Sequence, residues 1–129
     1  MADAGALIEV CPASRLVDGG TGVRFEVVAG GAPAAAFVVR HRGRVFGYLN
    51  RCAHVAMELD WIEGRFFDAD GQWLLCATHG AAYDPSSGRC VGGPCAGHGG
   101  LRRLQVVEDG GVVYWRPAGD LRARGADSD

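Results

Sequence analysis

The chain contains no lysine; all 13 basic residues are arginine, and no function follows from that alone. It also lacks any apolar stretch near the roughly 20 residues that a membrane-crossing helix needs. The longest, Ala34 to Val39, is only strand length. Charge of one sign is scarce: the net charge is −2, and the single basic cluster, Arg40-His41-Arg42-Gly43-Arg44, reads as a hairpin with solvated sides. A nucleic-acid partner is therefore not expected, and neither is membrane insertion. No Ser-His-Asp set, Walker-type phosphate loop or dinucleotide glycine fingerprint is present, which removes the common self-contained catalytic machineries. Asp3 and Glu9 stand before the first basic residue, Arg15, unlike the start of a secretory signal. The 5 cysteines make no even disulfide framework, and together these features predict a cytoplasmic location.

Glycine is plentiful, with 21 residues in 129, alongside 48% hydrophobic and 22% charged residues. This is the composition of a compact, turn-rich fold. Val23-Arg24-Phe25-Glu26-Val27 alternates, Leu104 to Glu108 does so more loosely, and Gly111-Val112-Val113-Tyr114-Trp115 is β-branched and aromatic. Phe37 to Arg40 and Val45 to Leu49 flank Arg42-Gly43 as a hairpin; Asp109-Gly110 and Asp70-Gly71 are further turn signals. Short strands at close spacing predict an all-β fold, an antiparallel sandwich or barrel. Length allows one domain, placed at 1–116, with 117–129 expected as a flexible tail.

Chemistry concentrates in two strings, Cys52-Ala53-His54 and Cys76-Ala77-Thr78-His79, with residues 55 to 75 between them. Each pairs a thiolate with an imidazole. Two such loops can converge on a diiron cluster in which one iron takes two sulfurs and the other two nitrogens, the ligand set of a Rieske centre. The same four side chains could hold one tetrahedral zinc. Zinc fingers, however, draw like ligands from one local turn, whereas each turn here is mixed. That favours iron and sulfide, with a structural zinc module or chance clustering as the alternatives.

Around these strings the chain resembles the Rieske family. The second box continues Gly80-Ala81-Ala82-Tyr83-Asp84, then Ser87-Gly88 and Gly92-Gly93-Pro94, and the first box reads Asn50-Arg51-Cys52-Ala53-His54. The likeness runs from about Phe37 to Trp115. It implies a small cluster-binding lobe of two hairpin loops, with Cys52, His54, Cys76 and His79 as ligands of a [2Fe-2S] cluster. Gly80 would permit close backbone approach, Tyr83 would tune a ligand thiolate, and Pro94 would shape a covering loop. Neither box carries the extra cysteine that braces the loops in quinol-oxidising respiratory complexes. The likeness thus points to the soluble, oxygenase-associated branch: a one-electron carrier rather than an enzyme, between an electron-donating reductase and an electron-accepting oxygenase. An iron–sulfur redox sensor is the rival reading. High-potential members place a serine where this chain has Ala81, so a potential low in the Rieske range of about −150 to +300 mV is expected. Oligomeric state is not encoded in any of these features.

Other residues receive plainer readings. Cys11, before Pro12, is a small packing residue. Cys90 and Cys95 bracket Val91-Gly92-Gly93-Pro94 and read as thiols in a tight loop, with a disulfide across it as the alternative. His41 and His98 are expected on the surface, Met57, Leu59 and Trp61 in the core or as an apolar collar, and Asp84 as the organiser of the turn at Ser86 to Gly88.

Overall fold

The computed structural model describes residues 7–51, 58–60, 62–76, 80–93 and 99–123. Its strands are β1 (Ile8–Pro12), β2 (Val23–Ala29), β3 (Ala32–His41), β4 (Arg44–Leu49), β5 (Leu74–Leu75), β6 (Ala82–Tyr83), β7 (Cys90–Gly92), β8 (Arg103–Asp109), β9 (Val112–Arg116) and β10 (Leu121–Ala123). A 3-10 turn, Ala13–Arg15, follows β1. Seven strands form an antiparallel sheet in the order β1-β9-β8-β4-β3-β2-β10, and β5-β6-β7 form a second, small sheet. Ile8 of β1 and Leu121 of β10, from opposite edges, share one core with Val27, Leu104 and Trp115. The large sheet is therefore curled into a nearly closed barrel, and the all-β expectation holds.

Tight turns set the register. Gly30-Gly31 and Gly110-Gly111 both have positive φ at the two central positions, as the twist of a two-residue hairpin demands. The second turn falls one residue later than the Asp109-Gly110 signal suggests, because Asp109 still pairs with Val112. At the β3–β4 turn, Arg42 adopts φ +52 without being glycine. Asp18 holds it there: its carboxylate accepts the N–H groups of Arg42 (2.8 Å) and Gly43 (2.6 Å).

Three sequence expectations change. Arg40 is not a solvated flank; its guanidinium donates to Leu16 O, Ala13 O and the Glu108 carboxylate, tying β3 to the 3-10 turn and to β8. His41 is buried at 8% exposed, stacked on Phe67 with ring centroids 6.0 Å apart. The segment after Arg116 is not loose throughout, since Leu121 enters the core and β10 pairs with β2. Residues 124–129 and His98 lie outside the described residues.

The small sheet docks on the barrel through a second core. Phe37, Val39, Phe46 and Tyr48 from β3 and β4 meet Leu59, Phe66, Leu74, Cys76, Ala81, Tyr83, Cys90 and Leu101. Phe37 and Phe66 stack at 3.9 Å between centroids, and the Tyr48 hydroxyl donates to Pro85 O at 2.6 Å. Residues flanking both predicted ligand strings, Tyr48 and Leu59 for the first and Leu74, Cys76 and Ala81 for the second, thus pack into one dry seam.

Candidate metal centre

Cys76, first residue of the predicted second string, directly follows β5, which pairs with β6. Leu74 pairs with Tyr83 and Leu75 with Ala82. One residue further, Cys76 N–H donates to Ala81 O (2.8 Å), and Gly80 N–H donates back to Cys76 O (2.9 Å). These two bonds tie Cys76 to Gly80 and Ala81. Gly80 makes the closure possible: its φ is +73, and with nothing within 4 Å of a Cβ there, conformation rather than space requires glycine.

Cys76 carries a thiol rather than a disulfide, and it is fully buried within the seam core. A buried thiol at a loop closed by backbone bonds suits a soft metal, for which thiolate is the preferred ligand. The chain that follows β7 presses on the same loop. A Cβ on Gly93 would lie 2.6 Å from Gly80 O and 2.8 Å from Ala81 Cα, so the covering segment reaches the ligand loop backbone to backbone. Ala81 and Tyr83 are fully buried beside it. These features fit an iron–sulfur group held in part by Cys76.

β4 ends at Leu49, ahead of the predicted first string. Asn50 N–H donates to Ala35 O on β3 (2.8 Å), extending the sheet one residue beyond Leu49. On the returning side Leu59 is fully buried, a core residue. Asn50 Oδ1 accepts the Leu59 N–H (2.8 Å) and Asn50 Nδ2 donates to Asp60 Oδ1 (2.9 Å). Asp60 Oδ2 accepts the Gly64 N–H at 2.9 Å and lies 3.7 Å from Arg24 Nε. Arg24 also bridges Glu58 at 2.9 Å. The Asp60 side chain is wholly buried. The sequence reading passed over Asn50 and Asp60 as functional residues. The available signal was a carboxylate inside the apolar run Leu59-Asp60-Trp61-Ile62, a place where charge survives only if it is bonded.

Of the four predicted ligands, Cys76 is described; Cys52, His54 and His79 lie outside the described residues, as do Met57, Trp61, Pro94 and Cys95. Among the described residues no group of three or more His, Cys, Asp or Glu side chains converges. Cys11 is a packing residue, 4% exposed, with its thiol pKa pushed up by burial. Cys90 is disulfide-bonded, contrary to its reading as a thiol, and its partner lies outside the described residues. Asp84 organises its turn as expected, accepting the N–H and hydroxyl of Ser86 at 2.8 Å each. Burial raises that carboxyl's pKa, and the Ser86 bonds outweigh it and hold it below the usual range.

The family model for the Rieske [2Fe-2S] domain matches residues 6–108. Among solved structures, the chain is similar to the ferredoxin of carbazole 1,9a-dioxygenase from Nocardioides aromaticivorans IC177. Identity is 26%, TM-score 0.69, and the alignment covers 88% of this chain and 99% of that one. A Sphingomonas yanoikuyae B1 ferredoxin matches in fold at 23% identity, TM-score 0.66, with 88% and 100% covered. The terminal oxygenase of the Nocardioides system matches in fold at 21% identity and TM-score 0.69, over 92% of this chain and 32% of the oxygenase. No curated protein sequence matches significantly. No helix among the described residues is long and apolar enough to cross a membrane.

Proposed function

This chain belongs to the Rieske [2Fe-2S] domain family, and from that premise we propose that it is a one-electron carrier, taking an electron from a reductase and delivering it to an oxygenase. The observation that carries the reading is the end-to-end match to a ferredoxin of a dioxygenase system, 99% of whose length is covered. Bound to the chain, a [2Fe-2S] cluster supplies one reversible electron. We assign its ligands as Cys52 and Cys76 on one iron and His54 and His79 on the other. The mixed Cys/His pairs in sequence and the buried thiol of Cys76 support that assignment.

The chain's own task is to bind, position and shield. Leu59, Leu74, Ala81 and Tyr83 keep water from the Cys76 side of the site. Ala81 offers no side-chain donor, which disfavours the added negative charge of reduction and supports a low potential. Bond-making chemistry belongs to the oxygenase, so the protein itself is read as a carrier, not an enzyme. The cytoplasmic location stays part of this proposal. The disulfide at Cys90 bears against it, and thiol titration of protein taken directly from cells decides the point.

Iron and inorganic sulfide of about two each per chain, with a Rieske-type electron paramagnetic resonance signal on reduction, are expected. His79→Ala should abolish that signal; its persistence would reject the ligand assignment, and zinc in place of iron would reject the carrier.

A further inference from the structure

Resting on the assignment of Cys52 and His54 as ligands, we propose that Asn50 and Asp60 form a positioning clamp for the first ligand loop, acting through donor–acceptor complementarity. The two residues stand on either side of the stretch from Arg51 to Glu58. Asn50 is anchored to the barrel by its backbone bond to Ala35 O, and its side chain then ties down the returning strand. Asn50 is 4% exposed and Asp60 6%, so neither bond competes with bulk water.

Every polar atom of the pair has a defined role. Asn50 Oδ1 accepts from Leu59 N–H, Asn50 Nδ2 donates to Asp60 Oδ1, and Asp60 Oδ2 accepts from Gly64 N–H. Arg24 Nε, 3.7 Å from Asp60 Oδ2, supplies the compensating charge from β2. An apolar pair would close a loop of this length as well by bulk alone. A carboxylate taken fully out of water is costly unless paired, and its return is a single geometry rather than extra stability. Fixed geometry is what a two-residue ligand string needs, because Cys52 and His54 must reach different atoms of one cluster.

The chemistry permits a sharp test. Asn50→Asp sets two carboxylates face to face. Asp60→Asn leaves one donor facing another whichever way the amides turn. The double variant Asn50→Asp/Asp60→Asn restores all three hydrogen bonds with the polarity of the central one reversed, and leaves only the Arg24–Asp60 ion pair unmade. The carboxylate then at position 50 would accept from Leu59 N–H and from the amide then at position 60, whose oxygen accepts from Gly64 N–H.

The full chain is prepared with its cluster, and two things are read: the rate of visible absorbance loss in a chelator, and the shape of the reduced paramagnetic signal. Each single variant should lose cluster about ten-fold faster or more, the range for residues that orient metal ligands, with an altered signal. The double variant should lose cluster more slowly than either single, as expected for two coupled sites, the missing Arg24–Asp60 pair accounting for what still separates it from the parent. Single variants that match the parent, or a double variant no better than the worse single, would overturn the clamp. Should neither single fold, the double still decides: a retained cluster supports complementarity, and its loss rejects it. His54→Ala separates the two readings, since a Rieske signal surviving that change rejects the ligand assignment whatever the clamp variants do.

Discussion

Gly93→Ala is the perturbation whose cost can be worked most directly from the fold. Two penalties act. The residue sits at φ +78, where an L side chain costs about 1–2 kcal/mol. Its Cβ would also fall 2.6 Å from Gly80 O, 2.8 Å from Ala81 Cα and 3.0 Å from Ala81 N, all backbone atoms. Those atoms cannot swing aside, because Cys76 N–H to Ala81 O and Gly80 N–H to Cys76 O already fix the loop. Overpacking of this kind costs about 1–3 kcal/mol more. Gly31→Ala supplies the control: φ is +83 there and nothing lies within 4 Å of the new methyl, so it reads the conformational penalty alone. Denaturant unfolding at constant slope should therefore place Gly93→Ala below Gly31→Ala by about 1–3 kcal/mol. Gly93→Ala should also shed its cluster faster, since the strain falls on the loop that carries Cys76. Equal midpoints for the two variants, with equal cluster lifetimes, would refute the claim that the segment after β7 presses on the ligand loop.

Ala81→Ser adds a hydroxyl donor where alanine offers none; a hydrogen bond to a charged acceptor worth about 1.5–3 kcal/mol corresponds to a rise of about 60–130 mV in midpoint potential. Voltammetry showing no rise would contradict the role given to Ala81. Tyr48→Phe removes the buried bond to Pro85 O and should cost about 1–3 kcal/mol in chemical unfolding, with an unchanged unfolding midpoint as the contrary result. For Asp18, the N–H groups of Arg42 and Gly43 hold the carboxyl below its ordinary range. A depressed native pKa gives stability that is complete above the unfolded value of about 3.9 and is lost as pH falls through the native one. Asp18→Asn should therefore be less stable than the parent at neutral pH, with the gap closing below about pH 4; a gap independent of pH would count against the turn's electrostatic lock.

Much of this fold was legible because it is written in period two and in glycine. Val23 to Val27 and Val112 to Trp115 alternate as strands and are strands, and the β3–β4 turn falls at Arg42-Gly43 as the hairpin signal required. What sequence hid was long-range pairing of polar groups. Arg40 and His41 look solvated in a basic string, yet Leu16, Ala13 and Glu108 surround the first and Phe67 the second. Leu121 sits in a polar, glycine-containing terminus whose composition argues for looseness; one apolar side chain and three residues of pairing with β2 override it. Asn50 and Asp60 are ten residues apart, outside the reach of any turn or helix rule, so only the folded chain shows them as partners. The predicted ligand strings stand out for the opposite reason, because metal chemistry selects residue types at short spacing.

The two ligand stretches are held by different physics, and that bears on what each can tolerate. Around Cys76 the restraints are backbone hydrogen bonds and glycine contacts, which depend on conformation and not on charge. Around the first string they are buried side-chain bonds centred on one carboxylate, which depend on charge and partner identity. Electron addition puts negative charge into the site. Beside the first string, Asp60 and Glu58 share the single guanidinium of Arg24. A carrier that must exchange an electron with little rearrangement gains from having the chain beside both predicted strings packed in one seam, where Phe37, Tyr48, Leu59 and Tyr83 meet.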